Sequence, residues 1–161
     1  MICFNLSELL HLTMTIEGLL NKVKTVNLRA ELPAIIKRNA ADAILLNQLQ
    51  LFQFGTNSQG IKLKEYKNKY YAKKKNAKNP QPGLGTPDLA DKRDFYNGFF
   101  LDVKVKTFRI DSKDSKSSKL KKDYGADIFG LSVDNTRTFA LDNILPAVQR
   151  YITTKTGLQF R

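Results

Sequence analysis

The nine residues from Asn79 to Pro87, NPQPGLGTP, hold three prolines and two glycines, and regular structure must break there. Proline lacks an amide donor and fixes φ, while glycine loosens the backbone, so no repeating hydrogen-bond pattern can be sustained. A chain of 161 residues supports one hydrophobic core more readily than two, so the break reads as an extended loop inside one domain, near residues 76–90. It parts a helical first half from a mixed second half.

Upstream, Leu9, Ile16, Leu19, Leu20 and Val23 lie along one side of a helix that leaves Lys22 and Lys24 outside. Residues 1–13 are expected to be a flexible extension ahead of it, and residues 14–161 the single domain. The clearest helical pattern is NLRAELPAIIKRNAADAILLNQLQLFQFG. A start near Pro33 places the missing amide in the first turn, Ile36, Ala40, Ile44, Leu45, Leu49 and Phe52 supply the apolar face, and Gly55 offers a stop.

Downstream, DLADKRDFYNGFF predicts a short helix or turn before a strand. In FFLDVKVKTFRI, Leu101, Val103 and Val105 alternate with Asp102, Lys104 and Lys106, which is the pattern of a half-buried strand. Phe108 and Ile110 fall out of phase, so a twist or bulge is expected near Thr107. One strand leaves its edges unpaired, and the further strands are sought in residues 60–67, at Ile110, in residues 128–133, or on another chain. DSKDSKSSKLKKD reads as an exposed connection, and ALDNILPAVQRYITTKTG as a terminal helix packed through Leu141, Ile144, Leu145, Val148 and Ile152, with Pro146 a kink or a renewed start. The expected class is α+β: N-terminal helices, a basic loop-rich centre, a small antiparallel or mixed β region and a C-terminal helix.

Few residues suggest catalysis. Cys3 is the only cysteine, which rules out an intrachain disulfide and a multi-cysteine zinc site, and His11 has no local partners for a triad. Asp88, Asp91 and Asp94 recur every third residue, as do Asp111 and Asp114, and a carboxylate-metal nuclease would need several of them to converge. Lys92, Arg93 and Lys113 beside them favour solvated charge and local pairs instead. GTNSQG and GLGTP lack the lysine and hydroxyl residue of a phosphate-binding loop. No cofactor, metal or catalytic residue is expected. Nor is a membrane span, since no stretch approaches eighteen uninterrupted apolar residues and the opening MICFNLSELLHLTMTIEGLL lacks a basic start and carries Glu8, His11 and Glu17.

The formal charge of +12, from 27 basic and 15 acidic side chains, permits polyanionic partners. It concentrates in IKLKEYKNKYYAKKKNAKN, where Lys62, Lys64, Lys67, Lys69, Lys73, Lys74, Lys75 and Lys78 are offset only by Glu65. Tyr66, Tyr70 and Tyr71 are spaced near one helical turn and are expected to share a face. Two readings follow: the lysines lie near DNA phosphates with tyrosines stacked on bases, or the tyrosines cover a core or interchain groove while the lysines stay in water.

Taken in order, LFQFGTNSQGIKLKEYKNKYYAKKK, TPDLADKRDFYNGFFLDV, YGADIFGLS and NILPAVQRYI, spread between Leu51 and Ile152, resemble the blocks of small tailed-phage virion morphogenesis proteins. The resemblance is to neck, head-tail connector or tail-completion proteins from phages of Bacteroidetes-type hosts. Lys92-Arg93 stands where a threonine-glycine pair is more typical of that family. The resemblance implies a homo-oligomeric ring subunit that contacts portal, neck or tail proteins near packaged DNA, in a virion assembled in the bacterial host cytoplasm. Tyr66, Tyr70, Tyr71, Phe95, Tyr96, Phe129 and Leu131 would then be packing or subunit-contact residues. Such a role is non-catalytic, and the competing readings are a basic nucleic-acid-binding protein and the carboxylate-metal nuclease.

Overall fold

The computed structural model describes residues 15–160. Helix α1, Ile16–Lys24, starts where the Thr15 hydroxyl accepts the Gly18 amide and ends on Lys22 and Lys24, cations suited to the negative end of a helix. Helix α2, Leu28–Arg38, starts where Asn27 accepts the Ala30 amide at 3.1 Å. The expected start near Pro33 is therefore wrong: the Asn27 cap sets the beginning, and Pro33 lies inside α2. Asn39 interrupts the helix, its side chain donating to the Ile35 carbonyl at 2.8 Å. Helix α3, Ala40–Leu49, follows and runs into a π-helical turn, Gln50–Phe54. It ends at Gly55 as expected, with φ of +58° in the left-handed region and so little room that a Cβ would meet Thr86 Cγ2 at 2.3 Å.

The buried face of this helix is not the expected apolar stripe. Ile35, Ala43, Asn47, Gln50 and Leu51 point inward, while Leu45 is exposed. The face is turned by roughly one residue, about 100°, because two amides on it bind the backbone of a distant segment. Asn47 donates to the Ile128 carbonyl at 3.1 Å and accepts from the Gly130 amide at 3.2 Å. Gln50 accepts from the Ser132 amide at 2.9 Å and from the Asn135 side chain at 3.0 Å. Buried backbone needs such partners, and here helix side chains supply them.

Helix α4, Lys69–Lys78, is capped by Asn68, which accepts from the amides of Tyr70 and Tyr71. Irregular chain follows from Asn79 to Arg93, then the short helix α5, Asp94–Asn97. Strands β1, Phe99–Val103, and β2, Phe108–Ser112, form an antiparallel hairpin with Leu101 opposite Ile110 and Val103 opposite Phe108. The single bulged strand expected over this run is thus a pair. The phase change at Phe108 comes from reversal of the chain, closed by a bond from the Lys104 amide to the Thr107 carbonyl at 2.8 Å, and Val105 sits exposed at the tip.

The segment read as an exposed connection contains helix α6, Ser117–Tyr124, followed by a 3₁₀ turn, Ala126–Ile128. Helix α7, Val133–Thr138, capped by Ser132, passes through a π-helical turn, Phe139–Ile144, into α8, Leu145–Thr156. Pro146 stands at the head of α8, which fits a renewed start. Phe139 is the buried anchor of this helix; Leu141 and Leu145 of the expected stripe are exposed, and Ile144, Val148 and Ile152 are half-buried. Helices α1 and α2 pack on α8, where the Asn27 amide donates to the Tyr151 hydroxyl at 3.3 Å. The fold is α+β, with its core gathered from α3, the hairpin, Leu63, Phe95, Tyr96, Ile128 and Phe139.

Candidate functional site

The inward face of α4 carries Ala72 and Lys75 and continues to Asn79. Lys75 is 7% exposed and Asp88 is 3% exposed. The Lys75 Nζ lies 2.7 Å from Asp88 Oδ1 and donates to the Ala90 carbonyl at 2.7 Å. The remaining capacity of Asp88 is filled by the Asn79 side chain at 3.2 Å and the Ala90 amide at 3.1 Å, and the Tyr96 hydroxyl donates to the Asp88 carbonyl. Asn79 also donates to the Phe52 carbonyl at 2.9 Å. This network fastens the irregular segment to α4, α5 and the π-helical turn after α3. Burial, reinforced by the Asp88 carboxylate, pushes the Tyr96 phenol well above its ordinary pKa, so it remains a donor.

Lys75 is therefore removed from the lysines able to reach DNA, because its charge is sunk in the fold and neutralised there. Lys62 remains at the surface, but its ammonium is committed to the carbonyls of Phe54 at 2.7 Å and Pro82 at 3.1 Å. Lys64, Lys67, Lys69, Lys73, Lys74 and Lys78 are exposed.

The expected shared face of Tyr66, Tyr70 and Tyr71 does not form. Tyr66 precedes α4 and meets Tyr71 edge-on, with ring centroids 5.0 Å apart, whereas Tyr70 is 80% exposed. Tyr66 is joined instead by Tyr124 of α6. Between them lies a hollow of about 400 Å³, walled by Lys64, Glu65 and Lys67 on one side and Lys119, Lys122 and Asp123 on the other. A second hollow, about 480 Å³, shares Tyr66, Lys119, Asp123 and Tyr124 and extends to Tyr71 and Lys116. Lys119 pairs with Asp123 at 2.5 Å. Burial raises the phenol pKa of Tyr66 and of Tyr124, with Asp88 adding to the first and Asp123 to the second. Both hydroxyls stay protonated at neutral pH and can only donate or accept hydrogen bonds.

Lys119, Lys122 and Tyr124 were not singled out by the sequence. Their signal was present, as the two lysines are three residues apart and share one side of α6. A run rich in serine and lysine simply resembles a solvated connection.

The other candidate residues have structural surroundings. Phe95 and Tyr96 are buried in the core, and Phe95 meets Phe99 edge-on at 5.0 Å and Phe129 at 5.6 Å. Phe129 and Leu131 are half-buried, and Lys121 Nζ lies 5.1 Å from the Phe129 ring centre. A hollow of about 400 Å³ beside β2 is lined by Phe108, Ile110, Asp111, Lys121, Phe129 and Leu131, but its lysine is bound to Asp111 at 2.7 Å. Partial burial works against the Asp111 charge, yet hydrogen bonds from Lys121 and the Ser112 amide hold its carboxyl below the usual carboxylate range.

Asp88, Asp91 and Asp94 do not share a helical face, since only Asp94 is in a helix and Asp88 is consumed by Lys75. Among the described residues no group of three or more histidine, cysteine or acidic side chains is placed to hold a metal ion. The expected extension over residues 1–13, with Cys3, Leu9 and His11, lies outside the described residues. No helix among those described is long and apolar enough to cross a membrane.

A second surface is apolar. Helix α1 buries none of its residues, and Ile16, Leu20 and Val23 are 80%, 54% and 43% exposed at i, i+4 and i+7. Leu28 and Leu32 of α2 are exposed at the same helical spacing. Comparison with known protein families, with curated proteins and with solved structures finds no match to this chain.

Proposed function

We propose that the chain is a structural subunit of a phage neck, connector or tail-completion ring, joining neighbouring virion proteins without turnover. The observation that carries this reading is the apolar face of α1, exposed among the described residues. A nine-residue helix is marginal in water on its own, and a stripe of Ile16, Leu20 and Val23 gains stability only against another surface. Fully burying each of these side chains contributes about 1.5–3 kcal/mol. A ring of identical subunits offers such a surface, because a head-to-tail contact places the face of one subunit on a different face of the next. The order of sequence blocks that resembles that of phage morphogenesis proteins supports the same reading. The partners in this reading are further copies of the chain and portal, neck or tail proteins of a virion assembled in the bacterial host cytoplasm.

Light scattering and negative-stain electron microscopy of the full chain test the reading, with Leu20→Glu as the variant. The expected result is a closed oligomer that falls to monomer in the variant while the circular dichroism spectrum is kept. A wild-type monomer at every concentration, or an oligomer indifferent to Leu20→Glu, would overturn it.

A further inference from the structure

The geometry points to a binding site for single-stranded nucleic acid in the hollow between residues 64–67 and α6. Four lysines converge there from two separated segments: Lys64 and Lys67 precede α4, and Lys119 and Lys122 project from α6. Their convergence is a property of the fold, unlike the charge run along residues 61–79. Tyr66 and Tyr124 add ring surface to the lining, and the adjoining hollow, which shares both, also takes in Tyr71.

Charge and aromatic surface together select the occupant. A groove that binds a single strand combines lysines tracking the phosphates with rings against which unpaired bases rest. The hollow, at about 400 Å³, falls within the size range of pockets that take small-molecule-sized groups, and so admits a base with its sugar. A duplex keeps its bases stacked inside and would touch only the lysine rim. The two carboxylates at the site offset only part of its charge: Asp123 pairs with Lys119, which leaves three lysines facing Glu65. Lys64, Lys67 and Lys122 make no ion pair among the described residues. This site stands whether or not the chain forms rings.

Fluorescence anisotropy of labelled fifteen-residue oligo(dT), titrated with the full chain between 50 and 200 mM salt, tests the assignment. Each phosphate neutralised on a single strand adds about −0.7 to the slope of log K against log salt, so three or four lysines give about −2 to −3. Lys67→Gln combined with Lys122→Gln should flatten that slope by about 1.4. Lys24→Gln combined with Lys37→Gln, an equal charge change on α1 and α2, should leave affinity and slope nearly unchanged. Tyr124→Leu should weaken binding by about fivefold to a hundredfold at fixed salt with the slope kept, as loss of one aromatic contact does.

The rim lysines are exposed, so their variants fold even if Tyr124→Leu does not, and light scattering confirms that each variant keeps the wild-type oligomeric state. Equal losses from the two lysine pairs would overturn the site, showing attraction by overall charge. Duplex DNA of the same length bound as tightly as oligo(dT) would also overturn it. So would preference for polyglutamate, which would give the hollow to an acidic protein segment.

Discussion

Replacing Asp88 with asparagine leaves the Lys75 ammonium buried without its counter-charge. The pair sits 2.7 Å apart with both side chains nearly sealed from water, so neither surface screening nor rearrangement toward solvent relieves the change. Removing one member of a buried pair costs about 3–5 kcal/mol, chiefly because the survivor remains desolvated and uncompensated. Lys75→Met acts from the other side: Asp88 keeps the Asn79 and Ala90 donors, but the Ala90 carbonyl loses the ammonium. Each single variant should therefore be strongly destabilised. The double variant, Lys75→Met with Asp88→Asn, should recover part of the loss, since methionine fills the volume of the lysine stem and asparagine keeps one oxygen for the Ala90 amide, while the Asn79 donor loses the second carboxylate oxygen. Exchange of a buried pair for neutral groups is often close to neutral in stability.

Urea unfolding at one fixed protein concentration measures the cycle. With a slope of ~2 kcal/mol per molar urea, a loss of ~4 kcal/mol lowers the midpoint by ~2 M. The expected coupling exceeds ~2 kcal/mol. Singles costing under ~1 kcal/mol, or a double variant equal to their sum, would refute the view that this pair is a mutually dependent anchor for the irregular segment.

Gly55→Ala should cost at least ~1–3 kcal/mol, seen as a lower melting temperature, because alanine must adopt a positive φ and its Cβ meets Thr86. Tyr71→Ala should lose the edge-on contact with Tyr66 and cost ~0.5–1.5 kcal/mol beyond the buried area, while Tyr70→Ala should stay within ~0.5 kcal/mol by urea titration. Asp111 titrates below its unfolded value, so its contribution is complete above a pH of about 4 and fades as pH falls through the lower folded value. Asp111→Asn should accordingly be less stable than wild type at pH 6, with the gap closing under acid, as followed by urea midpoints across pH.

Local chemistry explains which features the sequence displays. Gly55 as a helix stop, the break at residues 79–87 and a strand through Leu101 and Val103 arise from short-range rules, and each is present in the fold, although Asp102 is as half-buried as its neighbours. The hairpin reversal was hidden because Lys104–Thr107 lacks the glycine or asparagine that marks such turns, so two strands read as one. The rotated face of α3 was hidden for another reason. Asn47 and Gln50 look like solvent-facing residues until residues 128–135 arrive to bond with them, and hydropathy records nothing of that meeting. The burial of Lys75 was hidden likewise, since its partner lies thirteen residues away across a proline-rich loop. The lysine-rimmed hollow was half legible: residues 64–67 were evident, and their counterparts on α6 depended on the tertiary fold.

The π-helical turn at Phe139–Ile144 makes the long C-terminal helix a phase shifter. A π turn widens one loop of the helix by a residue, which offsets the faces before and after it by about 100°. Removing a single residue there would restore continuous α-helix and spin the whole of α8 relative to α7. Phe139 would keep its place in the core while Tyr151 swung away from Asn27, and α1 would lose the surface it packs on, whereas α2 stays held to β1 and α3 through Ile35 and its neighbours. One codon thus sets the azimuth at which α1 is presented to whatever it docks against.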